Sequence, residues 1–332
     1  MSGHRLPAGG RIDRTRTLAF TFDGAHLTGH PGDTVASALI ASGRMLMGRS
    51  FKYHRPRGPV TAGSAEPNAL ITGGAGGRRE PNLRATMAEL HDGLAASSQN
   101  RWPSLTWDVG ALNGLAAPFF SAGFYYKTFM WPGAAWEKLW EPMIRRAAGL
   151  GRAGREADPD RFEKRWAHCD LLVVGGGPAG LAAALTAGRA GAEVILADEG
   201  SELGGTLLFD TARIGDASAE AFLAATLAEL ASLPNVRLLP RTTVFGWYDD
   251  MVFGAVERVS RHLAAPAPSE PSERLWRIAA KRALLATGAE ERSIVFGGND
   301  RPGERAASAA VAYARRFGVA IGHRVAVFAN SA

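Results

Sequence analysis

The residues whose types and spacing could do chemistry gather between Asp170 and Thr206. The apolar run Leu171–Val174 leads into Gly175, Gly177 and Gly180, spaced G-x-G-x-x-G, and small residues follow from Leu181. A second apolar run, Val194–Ala197, ends on Asp198 and Glu199. Strand, glycine turn, helix, strand and terminal acid form the βαβ pattern of a dinucleotide site. Gly175 permits the tight turn out of the strand, Gly177 lets backbone approach a pyrophosphate, and Gly180 lets the helix lie close to the strand. The helix starts at the loop, through Pro178 and Ala179, so its free N–H groups and positive dipole end face the phosphates. Asp198 stands where a carboxylate accepts hydrogen bonds from ribose hydroxyls, with Glu199 and Gly200 beside it. Gly205 lets backbone pass close to the cofactor, and Thr206 offers a hydroxyl there. No acid, base or nucleophile in the chain stands out as catalytic, and no histidine has ligand spacing for a metal.

The whole chain sets limits on the surroundings of that loop. Its 332 residues suggest about two domains. The formal charge of +6 and pI near 9.8 permit acidic partners, but the basic residues are scattered and no nucleic-acid motif accompanies them. Cys169 is the one cysteine, which excludes an internal disulfide and any multi-cysteine metal or iron–sulfur site. The apolar stretch around Leu115–Tyr126 contains Pro118 and is too short to span a bilayer. The N-terminus lacks the apolar core of a signal peptide. A cytoplasmic protein with no membrane contact is the expectation.

Residues 1–100 open with Leu18–Gly24, an alternating strand ending in a turn pair. A second strand follows from His26, and then a helix over Thr34–Ser42 capped by Asp33 or Thr34. This is the opening of a β-grasp, and F-x-F-D-G followed by G-D-T-V-A-S-A-L resembles the ferredoxin-like domains fused to amine-oxidising flavoproteins. Cluster-bearing domains of that kind have a cysteine-rich loop after the helix. The corresponding Gly58–Glu66 has no cysteine, so the expected domain carries no cluster. Phe51–Arg57 is basic with interleaved aromatics and reads as a solvated loop, with a contact for a partner chain or an anionic cofactor as the alternative.

Residues 101–165 form an aromatic-rich connecting segment, holding Trp102, Trp107, Phe119, Phe120, Phe124, Tyr125, Tyr126, Phe129, Trp131, Trp136 and Trp140. They fit either a core between the flanking domains or a docking surface for a partner. A short helix is expected over Glu141–Gly149 and a linker over Gly149–Asp160. Residues 166–332 are expected to be one Rossmann-type domain. An amphipathic helix spans Ser218–Ser232, Trp247–Arg258 and Arg274–Ile278 form a β-meander, and Ile321–Asn330 is a last buried strand without partner or covering helix. That last strand leads to the expectation of a chain cut from a longer protein.

The strand Lys281–Leu285 ends in Ala286-Thr287-Gly288, resembling the second signature of the flavoproteins that bind two dinucleotides. In that architecture Val244 would lie against the adenine through its backbone. The fold class is therefore α/β: a cluster-less ferredoxin-like β-grasp domain followed by a Rossmann-type two-dinucleotide-binding domain of the FAD/NAD(P)-binding superfamily.

The strings Arg49–Gly58, Asn100–Ser104, Ala122–Pro132 (A-G-F-Y-Y-K-T-F-M-W-P) and Leu172–Ala184 together resemble the α subunits of heterotetrameric sarcosine oxidases. The resemblance implies a chain that binds NAD and works with β, γ and δ subunits. It implies FAD and a covalent FMN chiefly on β, and tetrahydrofolate on a C-terminal aminomethyltransferase-like domain that this sequence lacks. The complex would turn sarcosine and O2 into glycine and H2O2, and with folate into 5,10-methylenetetrahydrofolate. The rival readings are part of a related amine oxidase, of octopine, nopaline or hydrogen cyanide synthase type, and a non-catalytic scaffold.

Overall fold

A computed structural model describes residues 3–120, 123 and 129–330. The chain forms two compact units, one built from Met1–Asp158 with Glu291–Ala332 and the other from Pro159–Glu290.

In the first unit, β1 (Leu18–Phe22) and β2 (Ala25–Gly29) pair antiparallel with Phe22 opposite Ala25. Asp23 and Gly24 between them both take positive φ, 50° and 78°, the two-residue turn whose twist matches paired strands. Leu18, Phe20 and Phe22 point inward, as alternation requires. Helix α1 (Val35–Ala41) is wholly buried. Thr34 is its cap, accepting from the Ser37 N–H while the Ser37 hydroxyl accepts from the Thr34 N–H. Asp33, the alternative cap, holds the Arg5 guanidinium at 2.6 Å and the Ser37 hydroxyl at 2.6 Å. After the short pair β3 (Gly48–Arg49) and β4 (Pro56–Arg57) come β5 (Leu70–Gly73), β6 (Glu80–Arg84) and β7 (Leu94–Ser98). The main sheet runs β2-β1-β7-β5-β6, with β1 and β7 parallel, the β-grasp order.

Sequence reading assigns Glu291–Ala332 to the Rossmann-type domain, but the segment groups with this first unit. Its helix Ala307–Arg315 sends Tyr313 into the β-grasp core, followed by Phe317 and Val319. The Tyr313 hydroxyl donates to the Thr61 carbonyl at 2.9 Å, and Arg305 donates to the Pro59 carbonyl at 3.1 Å. Burial holds the Tyr313 phenol far above its ordinary range. Ile321–Asn330, expected as a buried strand, has no strand pairing among the described residues, and Val325, Val327 and Phe328 are exposed.

The expected linker is instead a strap. After helix α2 (Glu141–Ala147), the Gly151 N–H donates to Asn82 Oδ1 at 2.9 Å. A side chain at Gly149 would overlap Asn100, and one at Gly151 would meet Gln99 and Pro81, so glycine is what lets this chain lie flat on the sheet ends. Among the described residues, no buried hydrophobic core residue comes from 101–165. Trp102, Trp107 and Trp131 are 68%, 81% and 84% exposed and belong to no buried core of the first unit. Phe124, Tyr125 and Tyr126 lie outside the described residues.

In the second unit six strands take the order β12-β9-β8-β15-β14-β13. They are β8 (Phe162–Val174), β9 (Val194–Ala197), β12 (Val236–Leu239), β13 (Thr242–Tyr248), β14 (Val252–Arg258) and β15 (Glu273–Leu285), with the small ribbon β10 (Arg213–Ile214) and β11 (Ala217–Ser218) beside helix α4 (Ala219–Ser232). Strands β12, β9, β8 and β15 are parallel, and β14 and β13 return antiparallel. The third meander strand and the strand before Ala286 are one continuous element, because β15 pairs with β14 at its start and with β8 along its whole length. Helix α3 (Pro178–Arg189) and α4 cover one face through Leu181, Ala184, Leu223 and Leu230. Among the described residues no helix is long and apolar enough to cross a membrane.

Replacing Tyr313 with alanine should destabilise the first unit by about 3–5 kcal/mol, the usual cost of truncating a buried aromatic. Amide exchange in β1 and β7 should accelerate while β8 and β9 stay protected; faster exchange confined to β8 and β9 would place the segment with the other unit.

Candidate functional site

The glycine loop is fixed by close backbone packing. The parallel register sets Val174 beside Ala197, and the Gly175 N–H donates to the Ala197 carbonyl at 2.8 Å. On the other side the Ala286 N–H donates to the Val174 carbonyl at 2.7 Å. Gly175 has φ +106°, and a Cβ there would fall on the Ala286 carbonyl. A Cβ on Gly180 would fall on the Gly175 carbonyl, so α3 reaches the strand only because both residues are glycine. Gly177 is different: nothing lies within 4 Å of where its Cβ would be. That open side is the one where α3 begins, capped by Gly177, with Pro178 and Ala179 exposed. Its first-turn N–H groups make it a place for phosphate oxygens.

Asp198 locks this loop to the next one. Its Oδ2 accepts from the Gly176 N–H at 2.6 Å and its Oδ1 from the Gly200 N–H at 2.7 Å. Gly204 then donates to the Gly176 carbonyl at 2.8 Å, and Gly205 packs against the Gly177 backbone. Residues 175–177, 198–200, 204–205 and 286 therefore form one continuous surface. Thr206, Thr287 and Gly288 are exposed beside these elements. Glu199 presents its carbonyl to Arg258 at 2.7 Å. Val244 is less closely tied. Strand β13 leaves the site at Thr242, whose N–H donates to the Asp198 carbonyl, and Val244 packs into the hydrophobic cluster around Phe253 and Trp276. Sequence reasoning missed Gly176, which shares Asp198 with Gly200; its signal was a third glycine in the loop, where a Cβ would crowd Leu203. Cys169 is buried in β8 and its thiol is pushed up to about 11, by burial first and by neighbouring Asp170 second. It is a packed side chain without nucleophilic character at neutral pH.

In the first unit the Gly58–Glu66 region, the expected counterpart of a cysteine-rich loop, is hydrogen-bonded around one carboxylate. Glu66 is buried, and its Oε2 accepts from the N–H groups of Val60 and Thr61, both at 2.8 Å. Oε1 accepts from Asn68 at 2.8 Å and Ala69 at 3.1 Å. A carboxylate thus occupies the donors of the loop, and the one cysteine of the chain lies in the other unit. These residues do not fit an iron–sulfur cluster, which needs thiolates.

The basic segment is anchored and not merely solvated. His54 Nδ1 lies 2.6 Å from Asp108 Oδ2, whose Oδ1 accepts from the Trp102 and Gly110 N–H groups. Arg49 donates to the Leu105 carbonyl at 2.6 Å, and Arg57 pairs with Asp300 at 2.6 Å. Among the described residues no group of three or more His, Cys, Asp or Glu side chains could hold a metal.

Comparison with known proteins follows these two units. Residues 15–101 match the family of 2Fe-2S iron–sulfur cluster binding domains, and residues 169–321 match the pyridine nucleotide-disulphide oxidoreductases. The chain is 66% identical over 331 residues to the sarcosine oxidase α subunit of Rhizobium meliloti (strain 1021), covering 100% of this chain and 34% of that one. It is related over its whole length to sarcosine oxidase α subunits. An opine oxidase component from Agrobacterium tumefaciens (strain Ach5) is 33% identical over 147 residues, 42% of this chain and 28% of that one. The chain thus spans about a third of the length of the curated relatives it matches. Among solved structures, L-proline dehydrogenase from P. horikoshii shares the fold, with a TM-score of 0.59 and 19% identity over 96% of this chain and 50% of that one. The fold is accordingly a ferredoxin-like domain with a FAD/NAD(P)-binding domain.

Two substitutions separate packing from binding. Gly177→Val enters open space and should leave thermal stability near that of the unaltered chain while abolishing dinucleotide binding; retained binding would move the phosphates elsewhere. Glu66→Ala strands four N–H groups, each worth about 1–3 kcal/mol when left unsatisfied, and should unfold the first unit in denaturant titrations well before the parent. Reconstitution with iron and sulfide should give no cluster absorbance in either protein.

Proposed function

We propose that this chain is the NAD-binding portion of a sarcosine oxidase α subunit. The observation that carries the reading is the 66% identity running through 331 residues, not confined to the glycine loop. NAD would rest its pyrophosphate over Gly175, Gly177 and the start of α3. Its adenosine ribose would meet Asp198, with Glu199, Gly200, Gly205 and Thr206 beside it and Ala286, Thr287 and Gly288 beneath. Val244 would supply backbone at the adenine. Two adjacent acids at Asp198 and Glu199 oppose a 2′-phosphate, so NAD is preferred to NADP. When bound, the nicotinamide can carry a hydride, while this chain contributes binding and orientation.

In this proposal the chain assembles with β, γ and δ subunits, and the FAD and covalent FMN that accept electrons from sarcosine lie chiefly on β. The assembly passes those electrons to O2 and delivers the one-carbon unit to tetrahydrofolate, within the cytoplasm. The exposed aromatics Trp107 and Trp131 support a docking role for the connecting segment. A second reading, part of an opine-type oxidase, is favoured by the 33% identity to the opine oxidase component, although that covers 42% of this chain.

Mass spectrometry of nucleotide released from the purified natural assembly tests the choice. NAD together with sarcosine-dependent peroxide is expected; FAD alone with opine-dependent activity would replace the first reading with the second, and no nucleotide would leave a scaffold. Asp198→Ala should weaken NAD binding about ten- to a hundred-fold, from the loss of charge-assisted hydrogen bonds contributing about 1.5–3 kcal/mol. Titration with unchanged affinity would remove Asp198 from the ribose site. Trp107→Ala with Trp131→Ala should reduce the β chain recovered with a tagged chain, and full recovery would move docking off this segment.

A further inference from the structure

We propose that a second anion site, separate from the glycine loop, lies in the first unit and takes a small ligand carrying two or more phosphate charges. The site is a cavity of about 410 Å³ bounded by Arg79, Arg101, Arg146 and Arg152, with Gln99 and Trp102 among its other walls. No aspartate or glutamate lines it. Arg101 is balanced by Asp23 at 2.9 Å. Arg79, Arg146 and Arg152 have no carboxylate partner among the described residues, although the same chain pairs arginines readily elsewhere, as Arg145 does with Glu141 and Arg57 with Asp300. Like charges gathered on one concavity repel, and the repulsion is relieved by an anion placed among them. The guanidinium fork suits phosphate oxygens in particular.

Four separate elements of the first unit bring the arginines to one cavity. Arg146 sits in the last turn of α2, Arg152 on the strap, Arg79 at the β5–β6 connection and Arg101 just past β7. The strap is pressed down at Gly149 and Gly151, and Asn82 accepts from both the Gly151 N–H and the Gln99 amide at 2.9 Å each. A freely solvated basic stretch needs no such clamp. Trp102, 68% exposed on the rim, offers a ring face to a base or sugar attached to the phosphates.

Calorimetric titration of the natural assembly with inorganic pyrophosphate tests the site, using Arg146→Ala/Arg152→Ala and, separately, Gly177→Val. Binding should weaken at least ten-fold in the arginine double variant, persist in Gly177→Val, and fall steeply as salt is raised. Equal binding in the double variant, loss of binding in Gly177→Val, or no heat from the parent would each overturn the proposal. Circular dichroism of the double variant should match the parent, since both side chains are exposed. ADP run in parallel on the parent and on Trp102→Ala reports whether a ring adds affinity: a tighter ADP complex that reverts to the pyrophosphate value in Trp102→Ala extends the site to nucleotides, and equal affinities restrict it to the phosphates.

Discussion

Backbone touching backbone at Gly175 is the constraint on which the second unit depends. The loop has Ala286 on one side and Gly180 on the other, and neither contact leaves room for a side chain. The contact with Ala286 exists because β15 runs parallel to β8 in unbroken register from Glu273 opposite Phe162 to Leu285 opposite Val174. The contact with Gly180 exists because α3 starts immediately after the turn and lays Leu181 and Ala184 into the core. Any slip in either element would put a side chain's worth of error at a place with no tolerance. The inserted meander follows from the same requirement: β14 and β13 extend the sheet from the edge of β15 while its far end is held under the loop.

Much of this is legible in the sequence because the relevant signals are local. Alternation over Leu18–Phe22, the Asp23–Gly24 turn, the Thr34 cap and the G-x-G-x-x-G spacing all act within a few residues, and each forms the element it predicts. What the sequence conceals is long-range. Arg5 reaches Asp33, which settles the choice of cap. Tyr313 finds the Thr61 carbonyl across more than two hundred positions of chain, and no periodicity announces such a contact. The Gly149–Asp160 stretch has the composition of a linker because close packing on a sheet end and freedom in solvent both select glycine. Lys281–Leu285 reads as separate from Arg274–Ile278 because a long strand that keeps β8 on one edge and loses β14 from the other shows two different burial patterns along its length.

Glu66, Asp108, Asp198 and Glu291 each gather two or more backbone N–H groups, and for the first three the remaining capacity sets what else each can hold. An ionised carboxylate offers about four acceptor positions. Glu66 has four main-chain donors, from Val60, Thr61, Asn68 and Ala69, and the Thr61 hydroxyl nearby at 3.3 Å. It is saturated and closed off, 2% exposed, which suits a loop core. Asp108 gives one oxygen to two N–H groups and the other to His54, with Arg49 at 4.0 Å. Asp198 has a single backbone donor on each oxygen and remains partly accessible. Two positions are left on a carboxylate already oriented by the glycine loop, and in the proposed NAD site they would serve the two hydroxyls of a ribose. The hydrogen bonds that hold Asp198 in place are therefore what make it a preorganised acceptor, since its rotamer is fixed before any ligand arrives. By the same count Glu66 can serve only the fold. The two units thus use one device, a carboxylate gripping main-chain N–H groups, to opposite ends: filled in the ferredoxin-like loop, half-filled where the proposed NAD would complete it.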